Sequence, residues 1–351
     1  MATDSVEFAA KKMPKFHALL EDTYFFSETG LNSVEEMALG FVELRYYIRE
    51  LLKRGVDIDA FAPRIGILLT CRMDLFEEIA KIRATRRIYA RMMKEEFGAK
   101  DPRSMALTVT AHTSGLTMTA QQPVNNVARG GMQAVALAMA GVQAMEISTF
   151  DEAYRTPSEE AHMVGLRTQQ IVQLETNVTK VSDPLGGSWY VEDLTDKMEQ
   201  SIVAQLEEIE ALGDIGELTE QGYFRQIFNN AMERLSRDLS DGTVQRVGVN
   251  SHQIPNAEDH MLKEASERKT QPFRDQIAHI KAFKQNRDFE KSKQALGALY
   301  DVVRDKNTNM MESYVAALAA DATIGETAGV LRQAYGQKYD PLGNLPSPLD
   351  I

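Results

Sequence analysis

The residues of this chain best suited to chemistry lie in one stretch, residues 107–126, LTVTAHTSGLTMTAQQPVNN. Thr108, Thr110 and His112 alternate with Leu107, Val109 and Ala111, and a period of two sends the two sets to opposite faces of a strand. One face is small and apolar; the other carries hydroxyls and an imidazole. Strands of a closed barrel ordinarily point bulky aliphatics inward. Hydroxyls and an imidazole there would instead leave a lined, wet channel that an extended molecule could thread. His112 is also the one histidine at the carboxyl end of a predicted strand, where barrel active sites are built; His17, His162, His252, His260 and His279 read as surface or satisfied core residues. Arg64 follows a proline and opens a strand. Its planar fork suits phosphate or carbonyl oxygens, the alternative being a solvated charge or a carboxylate partner. Asp151 and Glu152 follow a fourth strand, where a helix N-terminus would also favour acids. G-x-S-x-G, phosphate-loop, G-x-G-x-x-G, C-x-x-C and H-E-x-x-H spacings are missing, and no metal site is expected.

Such residues need alternating strands and helices to hold them. Residues 4–16 read as a helix and 18–26 as a strand. Ser33 opens a helix as a capping box with Glu36; Val34, Met37, Phe41, Leu44, Ile48 and Leu51 hold its apolar face, and Gly55 ends it. Residues 64–70 form a compact strand, Asp74 with Glu77 starts a helix running to Gly98, and residues 105–111 form the hydroxyl-bearing strand. A helix from Pro123 to Gly141 and a short strand over 144–148 come next. Thr156, Pro157 and Glu159 mark a further capped start. Four strands each followed by a helix imply an α/β fold with parallel pairing and right-handed crossovers. Past Gly187 strand alternation stops. Charged helices are expected over 194–212, 219–239, 260–286, 289–305 and 310–336, before a proline-rich tail at 337–351.

The chain has 351 residues, 43% hydrophobic and 26% charged, the composition of a soluble globular protein large enough for more than one unit. No apolar run approaches the ~20 residues of a membrane helix, and the N-terminus lacks a secretion pattern. The single cysteine, Cys71, suits a reducing cytoplasm. A net charge of -12 argues against nucleic acid as a partner.

His112-Thr113-Ser114-Gly115, Thr119-Ala120-Gln121 and Asn125-Asn126-Val127-Ala128-Arg129 together resemble the large, catalytic chain of the methylmalonyl-CoA mutase family. Phe61-Ala62-Pro63-Arg64, Glu78-Ile79-Ala80-Lys81 with Arg83, and Phe150-Asp151-Glu152-Ala153 continue the likeness. So do Asp183-Pro184-Leu185-Gly186-Gly187-Ser188, Val247-Gly248-Val249-Asn250 and Thr323-Ile324-Gly325-Glu326. The resemblance implies that residues 1–190 are the C-terminal half of a (β/α)8 TIM-type barrel, forming one side of an acyl-CoA tunnel. Residues 191–336 would be a helical region wrapping that barrel. The implied reaction is a carbon-skeleton rearrangement of an acyl-CoA thioester by adenosylcobalamin, with the protein positioning and shielding the radical. The family's first four barrel units, its cobalamin domain and its Asp-x-His-x-x-Gly signature have no counterpart here, and both termini read as natural ends. A chain supplying the first half of the barrel and a cobalamin-binding subunit are therefore the expected partners.

By likeness to the family, Tyr24 and His112 are the catalytic candidates, while Arg64, Thr110, Thr113, Ser114 and Gln143 contact the acyl-CoA. Glu152 touches the adenosyl group, and Asp151 is structural. Two departures stand out. The family reads Tyr-His where this chain has Tyr24-Phe25, and a phenyl ring cannot polarise the thioester carbonyl. A family histidine is Thr110 here, and a neighbouring glutamine is His112. Either His112 takes over the carbonyl from another strand, or the site has decayed or serves a different acyl group. A catalytically inactive, mutase-derived interaction subunit is the alternative to a split mutase. A lone half barrel leaves two unpaired sheet edges, and is expected to leave the face of Phe41, Ile48 and Leu51 partly uncovered.

Overall fold

The computed structural model describes residues 1–267, 273–305 and 307–349. The chain divides into two compact units, Lys15–Thr270 and a second in which Met1–Pro14 join Gln271–Ile351. The division does not fall near residue 190. Helix α1 (Ala2–Lys12) belongs to the second unit.

The larger unit is built on β1 (Leu19–Asp22), β2 (Ile65–Cys71), β3 (Thr108–Thr113) and β4 (Ala144–Glu146). They pair in parallel in that order, an α/β sheet consistent with part of a TIM-type barrel. β1 is shorter than the sequence suggests, because the chain turns at once into a helical turn, α2 (Tyr24–Ser27). Helix α3 (Ser33–Lys53) is capped by Asn32 with Glu35, not by Ser33 with Glu36, which are both buried. The short α4 (Ile58–Phe61) precedes β2. Helix α5 (Leu75–Arg91) has Asp74 as its cap and relaxes into a π turn before Gly98. Helix α6 (Asn125–Ala140) ends at Gly141, which adopts the left-handed conformation that terminates helices. The cap of α7 (Glu159–Glu175) is Ser158, whose hydroxyl accepts from the Ala161 N–H, rather than Thr156. Helices α8 (Trp189–Ala211), α9 (Ile215–Glu220), α10 (Tyr223–Ser240) and α11 (His260–Glu267) complete the unit. The long helix expected over 260–286 runs into residues 268–272, which lie outside the described residues.

Helix α8 packs along α3 and α5 as an outer layer. Phe41, Ile48 and Leu51, expected to be partly bare, are buried. Ion pairs line the same seam: Arg87 meets Asp196 and Glu199, and Arg83 meets Asp183 and Glu192.

Strand register sorts the sheet's side chains. Glu21, Ile65, Ile67, Leu69, Val109, Ala111 and Thr113 are buried on the helix side. The other face carries Leu20, Gly66 and Thr108 on one level, Asp22, Leu68, Thr110 and Ala144 on the next, and Thr70, His112 and Glu146 at the carboxyl end. It is small and largely polar, and Leu20 is half exposed.

The second unit joins α1 to α12 (Arg274–Asn286), α13 (Phe289–Arg304), α14 (Met311–Ala319) and α15 (Ile324–Ala334) around Leu296, Leu299, Val303, Met310, Ala317 and Val330. The helix expected over 310–336 breaks where Thr323 and Glu326 form a capping box that starts α15. The proline-rich tail folds back: Tyr339 and Leu349 pack on this core.

Candidate functional site

The candidate residues occupy both ends of the uncovered sheet face. At the amino end, Arg64 closes the 3-10 turn that leads into β2. Gln143 precedes β4; its side-chain oxygen accepts from the Val109 N–H at 2.7 Å, and its own N–H donates to the Val109 carbonyl. β2 is seven residues long, which separates this end from the other rim by roughly 20 Å. Thr110 lies between them, its hydroxyl donating to the Ile67 carbonyl at 3.0 Å.

The carboxyl rim rests on a buried charge network. Lys81 Nζ lies 2.9 Å from Glu36 and 2.6 Å from Glu78 and donates to the Thr70 carbonyl at 2.6 Å. Glu36 in turn accepts from the Thr23 hydroxyl and the Thr70 N–H. The ends of β1 and β2 are thereby locked together, and the Glu78…Lys81 motif is scaffolding under the site. Asp22 ends β1 and the chain turns at once into α2, which starts at Tyr24. Phe25 is 68% exposed.

On this rim the Tyr24 and His112 rings lie 4.5 Å apart, centroid to centroid. His112 Nδ1 is 2.6 Å from the Thr113 carbonyl, a contact that requires a hydrogen on Nδ1. Nε2 is then the free nitrogen, 3.8 Å from Glu146; it donates to a substrate only when the ring is doubly protonated. Ser114 Oγ donates to Glu28 at 2.6 Å, and the Leu116 N–H donates to the other Glu28 oxygen at 3.0 Å. Glu152 accepts from the Thr149 N–H. Gly115 sits where these groups converge: a methyl there would lie 3.1 Å from the Glu28 carboxylate, 3.6 Å from the Tyr24 hydroxyl and 3.7 Å from Glu152.

Burial, reinforced by Glu28 and Glu152, pushes the Tyr24 hydroxyl well above its ordinary value and keeps it a donor. Burial also raises Glu28, against the pull of its bonds from Ser114 and Leu116. Asp22 is raised by burial too, opposed by the backbone N–H groups of Phe25 and Tyr24 and by His112. Asp22 Oδ1 is enclosed without a hydrogen-bond partner.

Other predicted residues sit elsewhere. Thr113 is buried on the helix side, where its hydroxyl accepts from the Ser148 N–H at 2.7 Å. Asp151 binds Thr149, Arg155 and Ser158 and holds the loop that presents Glu152. Asn126 bridges the Thr119 and Phe150 carbonyls, and Arg129 reaches the Val247 carbonyl, so the Asn-Asn-Val-Ala-Arg and Val-Gly-Val-Asn motifs brace the loop after β3. Sequence reasoning missed Asp22, Glu28, Gly115 and Glu146. Carrying the period-two pattern from β3 to β1 and β4 would have found Asp22 and Glu146. Glu28 follows a helical turn too short to carry any pattern.

A model of the family described as Methylmalonyl-CoA mutase matches residues 1–337. The chain is 36% identical over 334 residues to the 2-hydroxyisobutanoyl-CoA mutase large subunit of Aquincola tertiaricarbonis, covering 95% of this chain and 59% of that one. It is 33% identical over 336 residues to the methylmalonyl-CoA mutase of Rhizobium meliloti (strain 1021), covering 96% and 47%. It is 30% identical over 334 residues to the human mitochondrial methylmalonyl-CoA mutase, covering 95% and 44%. The chain spans about half the length of the curated relatives it matches.

Proposed function

This chain belongs to the methylmalonyl-CoA mutase family, and on that footing we propose that it forms one half of the catalytic barrel of an acyl-CoA mutase, closed by a second chain. The observation that carries the reading is the uncovered sheet face. It is small and polar along its length, with Arg64 and Gln143 at one end and Tyr24, His112, Ser114 and Glu152 at the other. An acyl-CoA lying along the strands brings its nucleotide end towards Arg64 and its thioester to Tyr24 and His112. Phe25 offers no donor, so the carbonyl must be met from β3. A relative named a large subunit is in keeping with partner subunits here, one completing the sheet and one binding cobalamin.

The residues at Gly115 fit an adenosyl group. Glu28 and Glu152 present carboxylate acceptors to a pair of sugar hydroxyls, and any side chain at 115 would fill the space between them. When bound, adenosylcobalamin supplies a carbon-centred radical that opens an unactivated C–H bond. Tyr24, held protonated, orients the thioester. The test is to purify the native assembly through a tag on this chain and assay acyl-CoA isomerisation with and without adenosylcobalamin. Cofactor-dependent isomerisation supports the reading; an intact assembly that isomerises no acyl-CoA supports an inactive scaffold.

A further inference from the structure

A cavity between α3 and the pair α9 and α10 has a composition that fits one kind of ligand. It holds about 510 Å3, within the range of small-molecule sites. Helical spacing builds it. Glu43, Tyr46 and Tyr47 lie three and four residues apart on α3, and Phe224 and Phe228 lie four apart on α10, so each set shares one helix face. Phe26, from α2, completes the wall and stacks on Phe228 with ring centroids 5.8 Å apart. Five aromatic rings therefore line one space, together with the carboxylates of Glu43 and Glu220.

No lysine or arginine lines the cavity, and neither carboxylate is ion-paired among the described residues. Glu43 accepts from the Tyr47 hydroxyl one turn on. Burial, and then Glu43, push that hydroxyl above its ordinary value, so it stays a donor and holds the carboxylate at the wall. The faces of aromatic rings are electronegative, and an organic cation gains from them and from a carboxylate together. An anion would be repelled, and a neutral apolar body would leave the carboxylates unmatched. We infer that this cavity binds a small organic cation, a quaternary ammonium or protonated amine carried on an apolar body. The cationic group sits against the rings and Glu43, and the body fills the space between α3 and α10. The inference does not rest on the acyl-CoA reading.

The test uses the native assembly purified through a tag on this chain, titrated calorimetrically with benzyltrimethylammonium, choline and 3,3-dimethylbutan-1-ol. The last is choline with its charged nitrogen replaced by carbon. Choline should bind at least ~10-fold more tightly than this neutral analogue, as expected of a cation desolvated among rings. Glu43→Gln keeps an acceptor for Tyr47, and Phe228→Leu keeps an apolar side chain on α10. Each should weaken benzyltrimethylammonium binding by ~10-fold. Equal affinity for choline and its neutral analogue would mark the cavity as merely apolar and overturn the inference, as would two variants that bind like wild type. An assembly that binds neither cation, the result expected where a partner chain's side chains fill the cavity, would overturn it too.

Discussion

At the scale of residues, the proposed function asks one imidazole to do a job for which the family uses another strand. His112 has Nδ1 committed to the Thr113 carbonyl and Nε2 open towards the rim, beside a tyrosine that stays protonated. Doubly protonated, the ring is a donor to the thioester oxygen, and His112→Ala should then lower turnover of the proposed assembly by ~100-fold, the usual cost of removing one donor from a developing oxyanion. Acyl-CoA affinity should change far less. Steady-state kinetics beside calorimetry separates the two, and unaltered turnover would remove His112 from the mechanism. His112 could be picked out from sequence because it lies at the carboxyl end of a strand with visible alternation; Thr110, Ser114 and Glu152 were singled out by likeness to the family. Thr113 shares that alternation but takes the opposite face. Glu28 and Gly115 were illegible because their roles arise from three separated segments meeting.

At the scale of elements, two charge networks carry much of the order. Lys81, Glu36 and Glu78 are fully buried beneath the ends of β1 and β2. Lys81→Met leaves buried Glu36 without a cation and Glu78 with only Arg72 at 3.5 Å, and should destabilise the larger unit by roughly 3–5 kcal/mol. Urea unfolding measures it; a loss below ~1 kcal/mol would show that the carboxylates find other partners. In the second unit, Glu326 closes the α15 capping box and pairs with Arg287. Burial would raise its carboxyl, but Arg287, Thr323 and Lys284 outweigh burial and hold it at about 2. Because the folded value lies below the ordinary one, this contribution is present above the usual carboxylate range of about 4.3 and is lost as pH falls towards about 2. Glu326→Gln should lower the stability of the second unit at pH 7 and flatten its dependence over that window. A variant that keeps the wild-type acid profile would assign the transition to other groups. Strands and long helices were readable from period alone. Their ends were not: Asn32 outcompetes Ser33 for the cap because Ser33 is drawn inward by Arg72, and no local pattern reveals that pull.

At the scale of the whole molecule, four parallel strands with one bare polar face make a surface with no evident use in isolation. β1 and β4 each present an edge with no strand partner among the described residues, a row of backbone groups suited to pairing with further strands. The number of βα units and their parallel order could be read from the sequence. The packing of α8 along α3 and α5 could not, because a helix's partner face says nothing about which neighbour fills it. The central claim, that a second chain completes this sheet, is tested most directly by hydrogen exchange on the tagged chain alone and in its native assembly. Backbone amides of Leu19–Asp22 and Ala144–Glu146 should exchange quickly in the free chain and become protected in the assembly, with β2 and β3 protected in both. A monodisperse monomer that isomerises acyl-CoA unaided, with its β1 and β4 amides unchanged by any partner, would contradict it.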